Sequence, residues 1–137
     1  MARRELIRNL TFELLCGGDV AVITLDGAVV PADAGQALDF VTPFLKHPRW
    51  HLVVDLGGAS KISAEGLGLF AHARSALGRK GFRAALVRPR SVELRERLSL
   101  DLDECFDTFD GLAEAVEAVR TGGERARPPG RAAGGAL

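Results

Sequence analysis

The sequence lacks any long apolar run. Apolar residues make up 47% of its 137 positions, enough to bury a full core without staples or metals. Charge nevertheless interrupts every stretch well short of the ~20 apolar residues that a bilayer-spanning helix needs. The opening Met1-Ala2-Arg3-Arg4-Glu5 leads into no apolar segment of a secretory leader. The expectation is a cytoplasmic chain with no direct membrane insertion. Cysteine is scarce. Cys16 and Cys105 are the two present, their spacing asks for no disulfide, and buried free thiols are the expected state. An excess charge of one sign is also missing, since 18 Lys and Arg balance 18 Asp and Glu. That argues against nucleic-acid binding through a basic face.

Chemistry-bearing motifs are absent in the same way. No Gly-x-Ser-x-Gly elbow frames Ser60, Ser63 or Ser75, so a Ser-His-Asp hydrolase has no nucleophile turn. There is no Walker-type phosphate loop. Gly66-Leu67-Gly68 resembles part of a dinucleotide loop, but Ala71 stands where the third glycine belongs and the preceding loop is too long for that turn. His47 and His51 bracket Pro48-Arg49-Trp50, which cannot be helical, and neither has a cysteine nearby in sequence. They therefore form no metal pair at helical spacing. Asp101, Asp103 and Glu104 read as a solvated acidic turn. These readings lead to the expectation of no catalytic activity, no cofactor and no metal.

What is present is an alternation of strand and helix signals. Leu10, Phe12 and Leu14 alternate with Thr11 and Glu13, the pattern of a half-buried strand. Gly17-Gly18 marks a two-residue hairpin turn, and Val20–Leu25 forms a more buried strand that Gly27 ends. Leu38, Val41 and Leu45 make an apolar helical stripe, with Asp33 as its cap and Pro48 beyond its end. Leu52-Val53-Val54 suits a central strand covered on both faces. A Gly- and Ser-rich loop over residues 57–63 leads to a helix from about Ala64 to Lys80, with Gly81 in the left-handed capping position. The unit then repeats. Phe82–Val87 is a strand, Ser91 caps a short helix through Leu98, Cys105–Phe109 is a weak last strand, and Asp110 caps a helix carrying Leu112, Val116 and Val119. No internal repeat is visible.

The order is β-β-α-β-α-β-α-β-α, which predicts an α/β fold with a mixed, mostly parallel sheet of about five strands and about four helices. Residues 1–9 read as an N-terminal extension and residues 10–120 as the domain. Residues 121–137, rich in Gly, Ala, Arg and Pro, read as a disordered tail.

The stretch from Leu52 to Phe70 is the most informative. A buried strand exits through Asp55-Leu56, crosses a loop to Ile62, and enters a helix that opens Ser63-Ala64-Glu65-Gly66-Leu67-Gly68. A helix start attracts anions, because its first N–H groups are unpaired and its dipole places partial positive charge there. On structural grounds alone, Ser63 caps the helix and Glu65 complements its dipole.

This stretch resembles the signature of the STAS family of anti-sigma-factor antagonists, stress-signalling scaffolds and sulfate-transporter tails. The usual pattern runs Asp-Leu, then Ile-Asp-Ser-Ser-Gly-Leu-Gly, and Asp55-Leu56, Ile62, Gly66, Leu67 and Gly68 match it. The similarity extends over about residues 10–120 through Leu25-x-Gly27, Gly81-Phe82 and the Asp110–Ala115 helix start. The departures are specific. Ala64 occupies the phosphoacceptor position, Ser63 that of the preceding aspartate, and Glu65 that of the second serine; Val30 replaces a second acidic residue. The resemblance implies a non-catalytic bacterial signalling module that binds a protein partner through Ser63, Ala64, Glu65, Gly66, Leu67 and Gly68, with the loop near Gly27–Asp33. It also implies that this surface is not switched by phosphorylation at the usual position. The implied partner is a kinase-like anti-sigma factor or another STAS protein, as in transcription regulation. The alternative is a soluble STAS subunit regulating a membrane transport system, or a stressosome-like scaffold component.

Overall fold

The computed structural model describes residues 3–7, 10–97 and 107–122. The readings that concern Cys105, the acidic turn at 101–104, the end of the Ser91 helix and the tail from 123 onward lie outside the described residues. The elements run in the expected order, with three short strands added. Strand β1 (Arg3–Ile7) pairs antiparallel with β2 (Leu10–Leu15), which in turn pairs antiparallel with β3 (Val20–Leu25). Chain direction then changes, and β3, β5 (His51–Asp55), β7 (Ala84–Val87) and β8 (Asp107–Phe109) follow one another in parallel register. The sheet order is β1-β2-β3-β5-β7-β8. All five strands expected from the pattern are therefore present, and the segment read as an N-terminal extension supplies a sixth at the edge.

The helices are α1 (Pro31–Lys46), α2 (Ala64–Arg79), a short α3 at residues 92–97, and α4 (Leu112–Thr121). The two faces of the sheet bury different side chains because successive strand residues point to opposite sides. Ile23, Leu52, Val54 and Leu86 join Val41, Leu45, Phe70 and Leu77 of α1 and α2 in one cluster. Val22, Val53, Ala85 and Val87 join Ala115 and Val119 of α4 in the other.

Several local expectations need correction. Asp33 does not cap α1. The helix starts earlier, with Val30 as cap residue and Pro31 in the first turn, where a missing N–H costs nothing. Asp33 sits one turn in, and its carboxylate accepts the Val30 N–H at 3.1 Å. Nor does Asp110 cap α4. Gly111 holds that position, and the Asp110 carboxylate instead pairs with the guanidinium groups of Arg88, at 2.8 Å, and Arg95. Cys16 is exposed, not buried. The hairpin turn spans four residues, 16–19, and not the expected two, because Leu15 and Val20 are its last pair. Cys16 opens it at φ +55°, followed by Gly17 at +68° and Gly18 at +100°, and so lies at the tip, away from the core. Residues 57–63 are not all loop: Ala59–Ile62 form a strand, β6, which pairs in parallel with β4 (Gly27–Val29) as a separate ribbon. The capping expectations at Ser91 and Gly81 hold. Ser91 Oγ accepts the Leu94 N–H at 3.3 Å, and Gly81, at φ +85°, ends α2 while Phe82 N–H returns to Leu77 O at 2.9 Å.

Candidate functional site

In an open parallel sheet, the loops leaving the carboxyl ends of the strands converge at one edge. Here the ribbon of β4 and β6 occupies that edge and aims the starts of α1 and α2. Two backbone devices build it. Gly27 turns the chain out of β3 at φ +69°, a conformation disfavoured for a residue with a Cβ, and its N–H meets Gly58 O at 2.9 Å. After β5, the Asp55 carboxylate accepts the Gly57 N–H at 2.8 Å, and Ala59 N–H closes onto Leu56 O at 2.9 Å. Gly57 and Gly58 lie against charged neighbours. A Cβ on Gly57 would stand 2.7 Å from an Arg90 guanidinium nitrogen, and one on Gly58 would collide with the Asp26 carboxylate. Side chains at either position would displace the Arg90 or Asp26 side chain from the ribbon.

The ribbon delivers Ser63 as the cap of α2. Its Oγ accepts the Gly66 N–H at 3.0 Å, so the hydroxyl is engaged in starting the helix. The backbone at Ala64 and Glu65 is the first turn of that helix. Gly66 is buried beneath it, and Leu67 and Phe70 anchor the helix in the core. Gly68 faces outward, and a Cβ there would meet nothing within 4 Å. The six positions expected to form a site thus occupy one helix start. The second expected element joins them: Val30, at the head of α1, is 48% exposed although apolar.

Between these helix starts lies an open cleft of about 270 Å³. Val29, Val30, Pro31 and Ile62 give it apolar walls, Ser63 stands at its edge, and Lys61 and Arg97 bring positive charge. Pro31 lies within the expected loop near Gly27–Asp33, whereas Lys61 and Arg97 were not expected at the site. Pro31 carried a readable signal as a first-turn proline. Arg97 carried none, since α3 reaches the cleft only through the tertiary fold. The lining, among the described residues, contains no carboxylate, thiol or imidazole, and its hydroxyl, Ser63 Oγ, is engaged in the helix cap. Among the described residues, no group of three His, Cys, Asp or Glu is placed to hold a metal ion, and no helix is long and apolar enough to cross a membrane.

The sequence matches the family model described as the STAS domain over residues 12–115. No curated protein matches the chain in sequence. Among solved structures, a Thermotoga maritima protein named as a candidate anti-sigma factor antagonist superposes with a TM-score of 0.67 at 23% identity, covering 80% of this chain and 92% of its own. The Bacillus cell fate determinant SpoIIAA, in its phosphorylated form, gives 0.63 at 18% identity, covering 80% and 98%. A murine anion transporter of solute carrier family 26 gives 0.55 at 18% identity, with 74% of this chain lying on 18% of that one. At these identities the likeness is one of fold.

Proposed function

The chain belongs to the STAS domain family, and from that premise we propose that it is a non-catalytic regulatory module that binds a protein partner in the manner of an anti-sigma-factor antagonist. The partner meets the start of α2, at Ser63 to Gly68, and the adjoining head of α1. It is a kinase-like anti-sigma factor or another STAS protein, and the encounter takes place in the cytoplasm. The observation that carries this reading is the presentation of the α2 start beside the exposed apolar Val30, in an open cleft with apolar walls. Phosphorylation at position 64 does not control it: alanine has no hydroxyl, and the neighbouring Ser63 Oγ is held in the helix cap.

Gly68→Arg tests the surface. The new side chain meets open space, and replacing a mid-helix glycine favours the helix by roughly 0.5–1 kcal/mol. Capture from native lysate with the wild-type chain is expected to retain one protein that Gly68→Arg loses, with melting temperature kept or raised. Equal capture by both would remove this face from binding. The identity of the retained protein separates the antagonist reading from regulation of a transport system.

A further inference from the structure

A second surface lies away from the start of α2. Toward their C-terminal ends, α1 and α2 leave an outward groove of about 370 Å³. Ala76 lies about 18 Å along α2 from Ala64 at 1.5 Å per residue, so this groove and the helix start are separate places. One wall is the row Leu38, Thr42 and Leu45 of α1; the other carries Ala76 and His72 of α2. Leu45 and Ala76 are each 8% exposed, so the groove floor is the outer limit of the core. Thr42 and Ala76 are the small residues of the two walls, and small residues let a third helix approach closely.

Charge is distributed along the groove with one sign. Lys46, Arg79 and Lys80 cluster at one end, and among the described residues no carboxylate lines it. Lys46 and Arg79 complement the carbonyl ends of their own helices. That role accounts for the cations at the two helix ends, Lys80 as the C-terminal cap residue of α2 included, but not for the apolar trough between the rows. The trough also has the form that helix-in-groove recognition uses, with apolar anchors one helical turn apart entering between two parallel ridges.

We propose that this groove docks an amphipathic helix of a protein partner that runs antiparallel to α1 and α2 and has an acidic first turn. The antiparallel direction follows from charge. It sets the N-terminal turn of the incoming helix over Lys46, Arg79 and Lys80. Carboxylates in that turn are favoured both by the three cations and by the helix's own dipole. Its next two turns set apolar side chains against Leu38, Leu45 and Ala76.

The probe is a synthetic helical peptide of about 18 residues, long enough to hold helix in water, with three Glu in its first turn and Leu at i, i+4 and i+7. A control peptide carries Lys in place of Glu. With isotope-labelled full-length chain, the Glu peptide is expected to shift amide resonances at Thr42, Leu45, Ala76 and Arg79 and to leave Gly66 and Gly68 in place. Thr42→Arg, at an exposed helical position, fills the trough and should weaken binding about tenfold without lowering melting temperature. Lys46→Glu/Lys80→Glu should reverse the preference, so that the Lys peptide binds about tenfold tighter than the Glu peptide. Shifts that map to the start of α2, binding indifferent to Thr42→Arg, or a charge-reversed chain that still prefers Glu would each overturn the proposal. So would dodecanoate shifting the groove resonances where the Glu peptide does not. Loss of capture by Gly68→Arg reads the α2 start, and the Thr42→Arg and charge-reversal arms read the groove, so failure of one leaves the other standing.

Discussion

The two faces of the sheet are built from the same strands by different means. In β5, Leu52 and Val54 point to α1 and α2, whereas Val53 points to α4. The α1–α2 face is filled with large side chains. Phe12, Phe40, Phe44 and Trp50 form a closed set of rings, with successive centroids 4.8, 6.2, 5.4 and 6.1 Å apart. The α4 face is lined by Val and Ala, with Phe109 as the large member. Its single helix is also held by a polar pin: Arg83 Nε donates to Val119 O at 2.7 Å, at the end of α4. A 10-residue helix on a small-residue surface buries little volume, so the pin carries a larger share of what holds it. Apolar volume holds one layer, and small side chains plus a capped helix end hold the other.

The largest expected effect is on the ring set. Trp50 is 4% exposed and touches both Phe12 and Phe44. Trp50→Ala should cost about 3–5 kcal/mol in urea unfolding. Within β5 the asymmetry can be tested at neighbouring positions. Leu52→Ala should cost about 2–5 kcal/mol, and Val53→Ala about 1.5 kcal/mol, since it removes the equivalent of about two methylenes from a face that α4 can close on. Equal costs at Leu52 and Val53 would break the distinction between a thick and a thin layer.

The same contrast explains what could be read from residues alone. Leu52-Val53-Val54, Gly17-Gly18 and Gly81 are local signals, and each element appears where expected because a strand core, a hairpin turn and a helix end are decided within a few residues. Strands β4 and β6 were not legible. They are 3 and 4 residues long, too short for alternation to show, and what makes them strands is pairing between Val29 and Ile62. β1 was hidden because Arg3-Arg4-Glu5 shows no apolar alternation. Asp110 was misread for a similar reason: a carboxylate before a helix is an ordinary cap, and only the fold brings Arg88 and Arg95 to it. At the candidate site, the helix start was legible through its glycines and Ser63, whereas Lys61 and Arg97 reach the cleft from an unforeseen ribbon and a distant helix.

Next in size is the polar pin. Arg83→Met keeps the stem and removes the donors to Val119 O and, at 3.4 Å, Arg120 O. The expected cost is about 1 kcal/mol, because this side chain is solvent-accessible and charged caps at exposed helix ends are worth little more. Hydrogen exchange should speed up in the last turn of α4 and stay unchanged in α1. Uniform acceleration would mean that Arg83 supports the whole domain and not one layer. Ser63→Ala should likewise cost about 1 kcal/mol through loss of the α2 cap, with faster exchange at Gly66.

The smallest expected effect is a pH dependence at the start of β5. His51 Nδ1 accepts the Arg83 N–H at 2.9 Å, and its ring lies 5.2 Å from that of Phe82. Accepting that bond requires a lone pair on Nδ1, so the neutral ring is the bonded form. Burial lowers the His51 pKa, the Arg83 charge lowers it further, and Asp19 opposes both. A base whose folded pKa lies below its unfolded value of 6.5 binds fewer protons when folded. Stability from His51 is therefore complete above that value and is lost as pH falls from it through the depressed folded one. His51→Asn separates this group from the other titrating residues, because its side-chain oxygen can accept the same N–H but cannot be protonated in this range. Between about pH 7.5 and 5.5, where histidine is the side chain that ordinarily titrates, the wild-type urea midpoint should fall more than that of His51→Asn. Parallel declines would remove His51 from the pH dependence and reduce the His51–Arg83 contact to a spacer between β5 and β7.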